Sequence, residues 1–127
     1  MKLKFAQLPL ARNKLMAQQD YCCALCGKSF KGRGAKKPAL DHCHIKGTIR
    51  DVLCLNCNRR EGEIWNRVRT CDKDAPIEWL AKLVEYWRRH SAPKHGGIIH
   101  PSHKSETEKR LAKNAKARAK RAAIKKG

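Results

Sequence analysis

Apolar residues are sparse along this chain and fall into short stretches with different periods. Leu8 to Asp20 reads as a first helix, with Pro9 in its opening turn and Leu10, Leu15 and Met16 on one side. Ala39 to Ile45 alternates like a strand, Lys46-Gly47-Thr48 makes a turn, and Ile49 to Leu53 returns as a second strand. Leu55 to about Val68 fits a helix whose inner side carries Ile64, Trp65 and Val68. Asp72 to Pro76 breaks the pattern and caps the next helix. That helix, Ile77 to His90, is the clearest of the chain, with Ile77, Leu80, Leu83, Val84 and Trp87 in one stripe. Trp79 and Tyr86 lie off that stripe, so they either cover a shallow core or meet a second subunit.

The stretches between are polar and irregular. Tyr21 to Gly27 is a tight turn, and the Gly- and Lys-rich run Lys28 to Pro38 is either a solvated connector or a phosphate-contacting loop through Lys36 and Lys37. Ser91-Ala92-Pro93 ends the clearest helix, and a loop comes next. From Ser102 the chain is Ala- and Lys/Arg-rich, with Leu111 and Ile124 as its sizeable apolar residues. Such a segment cannot bury itself. It reads as a partly helical basic tail, with Lys113, Lys116 and Lys120 as DNA contacts, or else as a merely solvated one. The resulting parse is an N-terminal segment and helix (1–20), a core (21–70), a helical candidate dimerisation region (71–100) and a basic tail (101–127). There is no internal repeat.

Composition sharpens this picture. The chain has 127 residues and a formal charge of +19, which calls for a polyanionic partner. Nucleic acid fits better than an anionic membrane surface, because no helix is both strongly apolar on one face and basic on the other. The start, MKLKFAQLPLARNK, is too interrupted for a secretory signal, and no segment approaches the ~20 apolar residues that span a bilayer. A cytoplasmic protein with reduced thiols is expected.

Seven cysteines then change the reading of the core. A domain this small with this little apolar content needs a staple, and an odd count with two Cys-x-x-Cys pairs fits zinc better than disulfides. Cys23, Cys26, Cys54 and Cys57 supply four thiolates, the ligand count of a closed tetrahedral zinc site. Cys22, Cys43 and Cys71 are left as small buried apolar residues. A rival assignment puts His42 or His44 in the zinc shell in place of a cysteine.

The densest chemistry runs from Leu40 to Glu61, LDHCHIKGTIRDVLCLNCNRRE, over a β-β-α segment. On a strand His42 and His44 project together while Asp41 and Cys43 project oppositely, so a local kink is needed to bring Asp41 and His42 to one substrate. Asn58 starts the following helix, fixed by its neighbour Cys57. A carboxylate and an amide oxygen suit Mg²⁺, which binds phosphate. An imidazole can accept a proton near neutral pH. Asp41, His42 and Asn58 together describe metal-assisted hydrolysis of a phosphodiester.

LDHCH, the turn with Gly47, IRDVLCLNCN and the following REG resemble the HNH, or ββα-metal (His-Me finger), nucleases. Within them the chain is similar to the bacteriophage recombination endonuclease VII group of Holliday-junction resolvases. CNRREG, IEWLAKLVEYW and IIHP extend the likeness over roughly Gln18 to His103. The resemblance implies a small α+β fold with a zinc-stapled ββα-metal core, flanking helices and an intertwined homodimer. It implies zinc on Cys23, Cys26, Cys54 and Cys57, Mg²⁺ on Asp41 and Asn58, and His42 as general base, with His44 and Glu61 completing the site. Arg50 is a further candidate DNA contact. Cys43 stands where the family often has an acidic residue, and the Ala/Lys-rich end departs from the family type.

Three functions compete. The preferred one is a Mg²⁺-dependent endonuclease on branched DNA such as four-way junctions. The others are a less selective phage HNH nuclease on duplex DNA, and a zinc-stapled DNA-binding protein without activity.

Overall fold

The hairpin at the centre of the fold starts with Pro38 and turns at Gly47. Strand β1 (Pro38–His42) pairs antiparallel with β2 (Ile49–Cys54). Pro38 opens its strand, where a missing N–H removes the least from the ladder. Cys43 N–H donates to Thr48 O and Gly47 N–H to Cys43 O, both at 2.8 Å, and Gly47 takes φ 69°, which a glycine adopts without strain. Leu40 pairs with Val52 but His42 pairs with Ile49, so Arg50 and Asp51 together oppose Asp41. This bulge shifts the alternation of β2 by one residue at the point where Asp41 and Arg50 meet.

The computed structural model describes residues 1–127 as two units, Met1–Val84 and Glu85–Gly127. In the first unit α1 (Leu8–Gln18) and α2 (Leu55–Cys71) both pack on the hairpin. Val52, Leu53 and Cys54 are buried in succession, so the end of β2 is covered on both faces. Leu53 packs with Cys23, Cys54, Cys57 and Phe30, and Val52 is the one fully buried side chain of any size. The core is small, as the composition requires.

Asp20 and Tyr21 both take left-handed backbone angles and turn the chain sharply after α1. Gln19 then reaches β2: its Oε1 accepts from Val52 N–H at 2.8 Å and its Nε2 donates to Val52 O at 2.9 Å. A carboxamide thus plays the part of a neighbouring strand for one residue. Helix α2 is entered through Cys54, whose Sγ accepts from Cys57 N–H at 3.4 Å in place of the usual hydroxyl or carboxylate cap. Asp72 Oδ1 accepts from the N–H groups of Asp74 and Ala75 and folds the turn into α3 (Pro76–Arg89).

Three expected inner faces differ from the sequence reading. Leu10 is 75 % exposed, and the half-buried side of α1 is Leu8, Ala11, Arg12, Leu15 and Met16. Ile64 is exposed, whereas Trp65 is half-buried and Val68 buried, so α2 is rotated from the expected face. On α3, Trp79, Leu80, Leu83 and Val84 are half-buried but Ile77 and Trp87 are exposed.

In the second unit α4 spans Glu106–Lys126. It starts in a capping box: Ser105 N–H donates to Glu108 Oε2 at 2.6 Å, and Glu108 N–H donates to Ser105 Oγ at 3.2 Å. The Ser105 N–H and hydroxyl hold Glu108 below the usual carboxylate range. Every residue of α4 is exposed. The basic tail is thus helical from Glu106 to Lys126 and non-helical over 101–105. No helix of the chain is long and apolar enough to cross a membrane.

Candidate metal centre and active site

Two short turns bring four cysteines together. In the first, Cys23 N–H donates to Lys28 O and Gly27 N–H to Cys23 O, both at 2.9 Å, which folds the Cys23–Cys26 segment back on itself. The second is the junction of β2 and α2, carrying Cys54 and Cys57. The Sγ atoms of Cys23, Cys26, Cys54 and Cys57 all lie within 4.8 Å of one another. Cys54 N–H donates to Cys23 Sγ at 3.3 Å, tying the two turns directly.

The electrostatics suit a cation. Burial pushes the Cys23 thiol up, but the amide N–H groups of Cys26, Cys54 and Leu25 outweigh it and bring it down to about 6. Cys57 is pushed up to about 12 by its hydrogen bond to Cys54 and by burial. Thiolates this close repel one another unless a positive ion lies among them. Four such ligands match the donor set of a structural zinc site. His42 and His44 both stand outside this thiol cluster.

A second cluster lies between the hairpin and α2. Asp41 is buried, and its Oδ2 lies 2.7 Å from Arg50 Nε. Arg50 Nη2 lies 3.0 Å from Glu61 Oε1, and His44 Nε2 lies 2.8 Å from Glu61 Oε2. Both Glu61 oxygens are thus engaged by the protein, whereas the Arg50 pair leaves Asp41 Oδ1 for a further partner. The hydrogen bond and charge of Asp41, opposed by partial burial and aided by Glu61, raise the Arg50 pKa above its ordinary value.

Asn58, Glu61, Gly62 and Trp65 succeed one another at helical spacing on α2, and the last three of them lie against His44 of the hairpin. Trp65 lies parallel to the His44 ring, centroids 6.2 Å apart at 11°. A Cβ on Gly62 would come 3.7 Å from His44 Cε1, ordinary contact, so the glycine is not required by space. Asn58 is half-buried in the first turn, directly after Cys57. His42 is exposed on the neighbouring strand, its ring 6.0 Å from that of His44.

Sequence reasoning places Asp41, His42, His44, Asn58 and Glu61 in one site. Geometry joins Asp41, His44 and Glu61 through direct contacts and Arg50, sets His42 beside His44, and puts Asn58 on the stripe of Glu61. Arg50, expected at DNA, has its guanidinium committed to Asp41 and Glu61. Trp65, a core residue by its spacing, serves as the surface on which His44 lies. Cys43 is half-buried in the hairpin turn, and the amides of Lys46 and Ile45 draw its thiol down from the ordinary range. An acidic side chain there would take the same N–H groups. The side chains of Lys36, Lys37, Lys113, Lys116 and Lys120 are all exposed. The backbone of Lys37 also accepts from Leu55 N–H at 3.0 Å, at the start of α2.

Fold and site together define a small α+β protein with four helices, a two-stranded sheet and a four-cysteine group positioned to hold a metal such as zinc. The sequence model of the recombination endonuclease VII family matches residues 2–89, more than half of the chain, and the chain belongs to that family. The match ends before α4. No curated protein matches the chain. Family membership implies a nuclease acting on DNA in recombination.

Proposed function

We propose that the chain is a Mg²⁺-dependent endonuclease of the HNH, ββα-metal type that hydrolyses phosphodiester bonds in branched DNA, four-way junctions foremost. The observation that carries this reading is the run Asp41–Arg50–Glu61–His44, which joins the hairpin to α2 beside an exposed His42. An imidazole open to solvent, one residue along the chain from a buried carboxylate, suits the deprotonation of water better than a role in the core.

In this reading Asp41 and Asn58 would hold Mg²⁺. A buried carboxylate and a carboxamide are the hard oxygen donors such an ion takes. The bound ion would supply Lewis-acid stabilisation of the departing oxygen. His42 accepts the proton of the attacking water. Glu61 spends its oxygens on Arg50 and His44, so it orients these groups, and His44 is held against Trp65 to face the phosphate. Arg50 fixes the carboxylate of Asp41. The four cysteines would hold Zn²⁺ and clamp the start of α2, with Asn58, to β2.

Two copies acting together would cut opposing strands of a junction; of the two candidate contact residues Tyr86 is exposed and Trp79 half-buried, and exposed Tyr86, with Ile77 and Trp87, supports a homodimer through α3. Cleavage of a synthetic four-way junction against linear duplex of the same arms, with and without Mg²⁺, tests the reading. Faster cutting of the junction supports it. Equal rates favour a general HNH nuclease on duplex DNA. No product with any divalent ion favours a non-catalytic zinc DNA-binding protein.

A further inference from the structure

Helix α4 lies beyond the family match, and all of its side chains are exposed. It carries nine Lys and Arg against two Glu, and both Glu residues sit in its first turn. The charges are not spread evenly around it. Lys109, Lys116 and Lys120 run along one edge at intervals of seven and four, while Arg118, Arg121 and Lys125 run along another at three and four. Between these edges, on the narrow side away from Ile124, lie Ala112, Ala115, Ala119 and Ala122, with Glu108 and Lys126 at the two ends of that side, while Arg110 and Lys113 lie towards Ile124. At 1.5 Å per residue the helix is roughly 30 Å long, close to one turn of duplex DNA.

We propose that α4 is a second DNA-binding site, which seats its alanine face in the major groove of a duplex and reaches the phosphates on either side with its two basic edges. The proposal rests on the reading that DNA is the substrate, and adds to it where and how the arms of that substrate are held. The B-form major groove admits an α-helix, and side chains no larger than a methyl group let the backbone approach its floor. Long cations on both flanks of the alanine side meet the two phosphate rows, with Arg110 and Lys113 left on the outer side. The capping box and the acidic first turn, with Lys125 and Lys126 in the last turn, give the helix its shape before binding. Association then neutralises the like charges along its sides.

Two variants of the full chain separate groove seating from simple attraction. K116Q/R118Q/K120Q/R121Q removes charge and keeps the alanine face. A115F/A119F keeps every charge and fills that face. Binding is measured by anisotropy on a 30-base-pair DNA duplex and on an RNA duplex of equal length, without Mg²⁺, so that no strand is cut. The glutamine variant should flatten the plot of log affinity against log salt on DNA by about 3.6, near 0.9 for each of the four phosphates it no longer neutralises. The phenylalanine variant should bind the DNA duplex at least tenfold more weakly and the RNA duplex as the wild type does, because the RNA major groove is too narrow for a helix. An unchanged salt slope in the first variant overturns the proposal. So does unchanged DNA affinity in the second, or an equal loss on DNA and RNA. Circular dichroism of both variants checks that α4 is still helical. Because cleavage is not the readout, an inactive wild-type enzyme would sink the nuclease reading without deciding this one.

Discussion

Arg50 Nε lies 2.7 Å from Asp41 Oδ2, while the same guanidinium reaches Glu61 Oε1 at 3.0 Å. One side chain on β2 therefore ties a buried carboxylate on β1 to a carboxylate on α2. Arg50→Ala leaves Asp41 without its counter-charge and should cost about 2 kcal/mol of stability, in the range of hydrogen bonds to charged groups. Cleavage should fall at least tenfold through kcat, while DNA affinity measured without Mg²⁺ stays within twofold. Arg50→Lys should recover part of the rate. A loss confined to DNA affinity would instead make Arg50 a phosphate contact.

The four thiols carry the fold. Chelation of the structural ion, or Cys54→Ser, should abolish the cooperative melting transition of the first unit, since the core beyond the cysteines is little more than Val52, Leu53 and Val68. Metal content and thermal melting are read together. Cys54→Ser that retains one bound zinc and a wild-type melt would point to a histidine in the shell.

Gln19→Ala removes a donor and an acceptor that serve the backbone of fully buried Val52. The expected loss is about 1–3 kcal/mol in a denaturant melt, with zinc content unchanged. A melt shifted by less than a few tenths would show that Val52 needs no such partner.

Helix α3 leaves Ile77 and Trp87 exposed at 67 % and 60 %. Sedimentation should give a dimer, and Trp87→Glu should shift it toward monomer without affecting the zinc. A wild-type monomer at high concentration would exclude the dimer.

Much of this is readable from local chemistry. The cysteine spacing selects the four thiols because each pair is formed within one turn, and the Gly47 turn is likewise a short-range signal. Tertiary features are not. The Gln19–Val52 pairing spans 33 residues, and the bulge opposite Asp41 is a one-residue shift that hydrophobic alternation does not encode. That shift is also why Arg50 reads as a surface cation although its head group lies between two carboxylates. The rotation of α2 that exposes Ile64 and turns Trp65 to His44 depends on where the thiol cluster fixes the start of the helix. The composition of the tail shows its helix propensity, but its continuity rests on capping and charge placement along the whole segment.

The most direct measurement is strand cleavage of a four-way junction by His42→Ala in Mg²⁺, alongside its zinc content and its junction affinity without Mg²⁺. If His42 is the general base, cleavage falls by at least a hundredfold while both other quantities stay at wild-type levels. Cutting at the wild-type rate would contradict that assignment.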